Sequence, residues 1–129
     1  MKKTILSILA AIGIGTASCS AEDGIVVLSP KEFISQAKAD TTAVILDVRT
    51  PAEYAEGHLE GAKQLDYLDA EAFDAGVKSQ DKANTYYVYC RSGRRSHGAC
   101  EKMKAQGFKV FDMEGGYLNW TKQGLPVVK

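Results

Sequence analysis

The chain has no surplus of either charge: sixteen Lys and Arg stand against sixteen Asp and Glu. Without Lys2 and Lys3, which belong to an N-terminal leader pattern, fourteen bases face sixteen acids, a net charge near −2. With that balance no basic face for nucleic acid or anionic lipid stands out, and the only cationic cluster is the run Arg91, Arg94 and Arg95. There is no internal repeat and no low-complexity segment, so no repeat architecture is expected. Histidines number two and cysteines three, and no pair of them has metal-ligand spacing, so neither a metal nor a cofactor is expected. With so few cysteines the domain must fold on its hydrophobic core rather than on a disulfide framework.

The front of the chain reads as a targeting segment. Lys2 and Lys3 precede the apolar run Ile5–Gly15, which is too short and Gly-rich for a membrane span, and small residues lead to Cys19. Thr16-Ala17-Ser18-Cys19 resembles a bacterial lipobox, departing from it at Thr16, where Leu is usual. The resemblance implies a signal peptide over residues 1–18 and lipidation of Cys19. A plain signal-peptidase cut near Ser18 or Ala21 is the alternative. Either way the expected location is extracytoplasmic, in a bacterial cell envelope, as periplasmic protein or membrane-anchored lipoprotein. Residues 19–24 then form a tether, and residues 25–129 one domain, held within roughly 20 Å of any membrane that takes the anchor. The membrane enters only through that anchor, and a monomer is expected.

Within the domain, strand patterns alternate with helix patterns. Ile25-Val26-Val27-Leu28 is a strand, and Ser29-Pro30 opens a helix to Ala39 with Ser29 as cap and Pro30 in the first position. Ala43–Val48 is nearly all apolar, as a central parallel strand covered on both faces would be. Thr50-Pro51-Ala52-Glu53 carries a capping box for a short helix that Gly57 ends. A short strand over Ala62–Leu65, a loose helix over Asp69–Val77, a strand over Thr85–Tyr89, a helix over Arg95–Gln106, a strand over Phe108–Met113 and a helix over Tyr117–Gln123 follow. This order predicts an α/β fold with a mainly parallel sheet flanked by helices on both faces, whose ligands bind beyond the carboxyl ends of the strands.

Cys90 falls at such an end, and the loop Arg91-Ser92-Gly93-Arg94-Arg95 joins it to a helix. Successive N–H groups of a loop of this kind can turn inward and form an anion cradle, aided by the helix dipole and three arginines. All of these favour a thiolate, so Cys90 is expected to be nucleophilic near neutral pH. Cys100, more than a turn into the helix, is expected as a buried packing residue rather than a disulfide partner. Arg91 is placed at the mouth, where it attracts an anionic donor. Arg95 either buttresses the loop or pairs with an acid, and Arg94 is open to both roles. Ser92, Gly93 and Ser96 shape the loop, Ser96 with the option of capping the helix. Asp47, Arg49 and Glu53 read as a network bracing the strand end, and His58 as a hydrogen-bonding residue of the turn after Gly57. His97 reads as a rim residue and Trp120 as core.

Three separated motifs stand together: Asp47-Val48-Arg49 with Glu53-Tyr54 and Gly57-His58-Leu59-Glu60-Gly61-Ala62; Cys90 to Ser96; and Gly115-Gly116-Tyr117-Leu118-Asn119-Trp120 with Gly124-Leu125-Pro126. In order and spacing the chain resembles a single-domain rhodanese, a thiosulfate sulfurtransferase-like protein, over about residues 25–128. The resemblance implies a rhodanese-like fold, a five-stranded parallel sheet with helices on both faces. It implies that Cys90 carries a persulfide cradled by Arg91–Arg95, taking sulfur from a small anionic donor such as thiosulfate. The sulfur then passes to cyanide or a thiol, including the thiol of a partner protein. Two other readings remain: a noncatalytic rhodanese-like binding module, and a phosphatase or arsenate reductase on the same fold. Those phosphate-type loops place five residues between cysteine and arginine, whereas four separate Cys90 from Arg95.

Overall fold

The computed structural model describes residues 20–22 and 24–129. The leader, Cys19 and the lipobox lie outside the described residues. The elements run β1 (Ser20–Glu22), β2 (Ile25–Leu28), α1 (Pro30–Ala39), β3 (Ala43–Asp47), α2 (Pro51–Glu56), β4 (Lys63–Gln64), α3 (Ala70–Lys78), β5 (Thr85–Tyr89), α4 (Arg94–Ala105), β6 (Lys109–Met113) and α5 (Gly116–Lys122).

The sheet has six strands in the order β1-β2-β6-β5-β3-β4. The five from β2 to β4 are parallel, the α/β architecture the alternating pattern predicts. The sixth lies within residues 19–24: Ser20–Glu22 runs antiparallel on β2, with Ser20 opposite Val27 and Glu22 opposite Ile25. The reason is local, because the outer edge of β2 would otherwise present unpaired N–H and C=O groups.

β5 is central and buried along its whole length. Its alternation splits the core. Tyr86, Val88 and then Cys90 face α3 and α4, packing with Phe73, Val77, Ala99, Cys100 and Met103. Tyr87 and Tyr89 face the other way, toward Phe33, Ala37, Leu59 and Trp120 under α1 and α5. The helix starts follow their local signals. The Ser29 hydroxyl accepts from the Glu32 N–H. Thr50 and Glu53 close the expected capping box, a motif worth about 1 kcal/mol. Parallel order brings the ends of β3, β5 and β6 to one edge, and the Cys90 loop rises from the middle of it.

Candidate active site

Cys90 follows the last residue of β5, and three residues later Gly93 caps the twelve-residue helix α4. Gly93 has φ of +107°, a left-handed conformation that a side chain would disfavour. That turn aims the Gly93 N–H back at the cysteine, 3.0 Å from Sγ. The other side of the loop is held from α5. The Tyr117 N–H donates to the Cys90 carbonyl at 2.8 Å, and the Leu118 N–H to the Arg91 carbonyl at 3.0 Å. These are first-turn N–H groups with no partner in their own helix, so the fit satisfies both elements. With the carbonyls drawn toward α5, one amide is left on the sulfur, the polarity an anionic sulfur needs.

Gly116 makes this approach possible. A Cβ there would lie 2.6 Å from both the Cys90 and Arg91 carbonyl oxygens, and its φ of +59° is also left-handed. Cys90 itself has no exposed surface, and the exposed Arg91, Ser92 and Arg94 stand above it.

Of the two roles the sequence leaves open for Arg95, the structure shows the acid pair. Its guanidinium grips Glu53 with both prongs, at 2.9 and 3.0 Å. Glu53 also accepts from the Thr50 N–H and hydroxyl, so one carboxylate ties the start of α2 to the start of α4. Arg95, with lesser help from Thr50, holds the Glu53 carboxyl down at about 2. Ser96 does not cap α4. The cap position belongs to Gly93, and Ser96, the third helical residue, turns its buried hydroxyl back to the Gly93 carbonyl at 3.2 Å.

Asp47 and Arg49 form a buried pair, Arg49 Nη2 lying 2.6 Å from Asp47 Oδ2, and the same nitrogen reaches the Gly57 carbonyl at 2.7 Å. The pair extends to two residues that the sequence reading passed over. The Tyr89 hydroxyl donates to Asp47 at 2.7 Å and accepts from the Leu59 N–H at 3.1 Å. The Arg49 guanidinium lies 4.2 Å from the centroid of the Tyr117 ring. The residue before Cys90 and the residue holding the Cys90 carbonyl are therefore fixed by one cluster. Burial, then the Asp47 charge, pushes the Tyr89 phenol well above its ordinary range, so it stays a donor. His58 is engaged elsewhere: its Nδ1 is 2.9 Å from the Tyr54 carbonyl, its ring stacks on Tyr54, and its backbone pairs with Val128.

Cys100 is buried in the core below the loop and, like Cys90, is a free thiol. Burial, with Asp112 and Cys90 nearby, pushes its thiol up. A cavity of about 650 Å³ lies on the other face, lined by Ile34, Ala37, Ile45, Trp120 and Leu125, and no residue of the Cys90 loop contributes to it. Asp112, buried at the end of β6, is a further residue that sequence reasoning missed. Its signal was a single acid inside the otherwise apolar run Val110–Met113.

Residues 29–123 match the rhodanese-like domain family. A sulfurtransferase of Allochromatium vinosum is 39% identical over 99 residues, covering 75% of this chain and 90% of its own. The thiosulfate sulfurtransferase GlpE of Pseudomonas fluorescens is 37% identical over 87 residues, covering 67% of this chain and 77% of its own. Among solved structures, a rhodanese-related protein of Thermoplasma volcanium superposes with a TM-score of 0.69 at 26% identity, covering 79% of this chain and 96% of its own. The matched span runs from the cap of α1 to the end of α5 and so takes in the loop together with everything that holds it: the chain belongs to the rhodanese-like family.

Proposed function

We propose that the protein is a sulfurtransferase that carries a sulfane sulfur on Cys90. The observation that supports this most is the Gly93 N–H on the Cys90 sulfur, in a loop whose carbonyls are taken by α5. Two of its relatives bear sulfurtransferase names.

The chemistry runs in two halves. The Cys90 thiolate attacks the outer sulfur of a thiosulfate-type donor. The S–S bond of the donor breaks, sulfite leaves with the electron pair, and Cys90 holds a persulfide anion. A nucleophile, cyanide or a thiolate, then attacks the terminal sulfur and leaves as thiocyanate or a new persulfide, and the Cys90 thiolate returns. Covalent storage between two half-reactions gives ping-pong kinetics. The Gly93 amide is placed to bear on negative charge at the sulfur throughout. Cys90 has no exposed surface in this conformation, so a donor enters as the exposed Arg91–Ser92 segment gives way. Arg91 and Arg94 draw a doubly charged donor to that opening.

A tetrahedral anion suits the site less well. Arg95, the side chain that would face such an anion, is spent on Glu53. The location we infer, outside the cytoplasm, rests on the leader and Cys19, and labelled palmitate on Cys19 that is lost in Cys19→Ala is its test. The test of the activity is intact mass after incubation with thiosulfate. The expected result is a gain of one sulfur atom on Cys90, removed by cyanide and absent in Cys90→Ser. No adduct with thiosulfate, a thiosulfonate, mercaptopyruvate or a protein persulfide would leave a noncatalytic binding module as the better reading.

A further inference from the structure

The strand registers put the carboxyl ends of the sheet on one level: Leu28 stands opposite Met113, Val88 opposite Asp112, and Asp47 opposite Tyr89. Cys90 follows one residue beyond that level. β1 runs the other way. Ser20 pairs with Val27, next to Leu28, and the strand then descends to Glu22 beside Ile25. The chain ahead of Ser20 therefore joins the sheet at its carboxyl edge, the edge from which the Cys90 loop rises. The residue ahead of Ser20 is Cys19. One peptide unit, about 3.8 Å between Cα atoms, links it to a residue already paired in the sheet. Across the sheet, β1 and β5 are separated by three strand spacings, about 14 Å.

The same edge carries the most exposed large apolar side chains among the described residues, Leu68 at 65% and Leu118 at 46%. Leu118 donates its N–H to the Arg91 carbonyl. Leu68 follows Tyr67, whose N–H donates to the Val48 carbonyl just past the end of β3. Arg91 and Arg94 are exposed between them in sequence, on the Cys90 loop. Leucine and arginine side by side suit the headgroup layer of a bilayer, where the apolar chain reaches the acyl boundary and the guanidinium meets phosphate. Glu114, whose N–H donates to the Leu28 carbonyl, is exposed on this edge too and offsets part of the charge. Attraction to anionic lipid is thus a minor force here, and the short link to Cys19 sets the orientation.

We infer that the anchored protein turns its Cys90 edge to the bilayer, so that Leu68, Leu118, Arg91 and Arg94 meet the headgroups and sulfur reactants reach Cys90 from that layer. This rests on the reading of Cys19 as the lipidated residue. An anchor on a long free link would let either end of the domain face the membrane. A link of one peptide unit does not reach far enough to bring the amino edge down. The exposed turn Asp81-Lys82-Ala83 lies on that amino edge, ahead of β5, and the length of β5 alone sets it roughly 15 Å further off.

The test uses the full chain, expressed in bacterial cells with labelled palmitate and reconstituted into phosphatidylcholine vesicles that contain a lipid with a nitroxide on its headgroup. Tryptophan is introduced at one site at a time, as Leu118→Trp, Leu68→Trp or Ala83→Trp. The signal of Trp120, the only tryptophan of the chain and a buried one, is subtracted from the wild-type reading. The expected quenching at 118 and at 68 is about threefold or more that at 83, because a nitroxide quenches near contact and the two edges are separated by the strand length. If Leu118→Trp does not fold, Leu68→Trp against Ala83→Trp reads the same difference. Equal quenching at the two edges, or stronger quenching at 83, overturns the orientation. Palmitate on Cys19 is measured on the same preparations. Palmitate present with equal quenching overturns the orientation and leaves the anchor standing, whereas no palmitate on Cys19 overturns the anchor and the orientation with it.

Discussion

Gly116→Ala tests whether α5 holds the Cys90 loop. Two costs arise from the structure. The first is conformational: alanine at φ of +59° carries the left-handed penalty of about 1 kcal/mol. The second is contact. The new Cβ would stand 2.6 Å from two carbonyl oxygens, where ordinary contact begins at about 3.5 Å, so backbone on one side must move by most of an ångström. A displacement of that size breaks the Tyr117 and Leu118 bonds to the loop, each worth about 1 kcal/mol. The sum is about 3 kcal/mol, roughly a 12 °C fall in Tm for a domain of this size. Gly61 separates the two costs: its φ is +80° and a Cβ there meets nothing within 4 Å, so Gly61→Ala pays the conformational cost alone. Urea midpoints and the rate of sulfur uptake from thiosulfate are compared for both variants. Gly116→Ala is expected to lose about 2 kcal/mol more than Gly61→Ala and to take up sulfur at least tenfold more slowly, whereas Gly61→Ala keeps the wild-type rate. Equal stability losses with unchanged uptake would refute the clamp.

Other changes probe the remaining supports. Tyr89→Phe removes the hydroxyl shared by Asp47 and the Leu59 N–H, leaving a buried donor unpaired, and is expected to cost about 2 kcal/mol in urea denaturation. Glu53→Gln probes the Arg95 pair through pH. The Glu53 carboxyl falls from an ordinary 4.5 to about 2 on folding, so its stabilisation is complete above pH 4.5 and is lost as pH falls toward 2. Because the Glu53 side chain is 26% exposed, screening leaves about 1 kcal/mol, and the variant should lack this part of the acid slope. Arg91→Ala and Arg94→Ala are expected to raise KM for thiosulfate severalfold with kcat kept, an effect that 0.5 M salt erases.

What the sequence disclosed was what short-range chemistry decides. Ser29-Pro30 and Thr50-Pro51-Ala52-Glu53 start helices because cap and partner are three residues apart, and both caps form as read. The run Tyr86–Tyr89 marks β5 because a central strand needs apolar residues on both faces. What stayed hidden depends on partners far along the chain or on backbone alone. Glu53 meets Arg95 across 42 residues, and Tyr89 meets Asp47 across the same separation. β1 is a three-residue stretch with no strand pattern of its own, made by the edge it pairs with. Gly115-Gly116 stood in the sequence as part of a motif, but its approach to the Cys90 carbonyl needs the parallel order of β5 and β6, which no local pattern reveals.

The contacts divide the loop's work between backbone and side chain. The groups that touch or fix Cys90 most directly are peptide groups: the Gly93 N–H on its sulfur and the Tyr117 N–H on its carbonyl. The charged side chains act one step further out, Arg95 on Glu53 and Arg49 on Asp47 and the face of Tyr117. Substitutions at the exposed arginines should therefore change how a donor arrives and leave the transfer itself intact. Substitutions at Gly93 or Gly116 should do the reverse, because no other residue takes a left-handed turn there at comparable cost. A serine at Gly93 shows the difference: it keeps the N–H but strains the turn that aims it, so kcat falls while the salt dependence of KM, set by Arg91 and Arg94, stays as it was. A Gly93→Ser variant that changed the salt dependence of KM and kept kcat would mean that the amide does not bear on the sulfur during transfer.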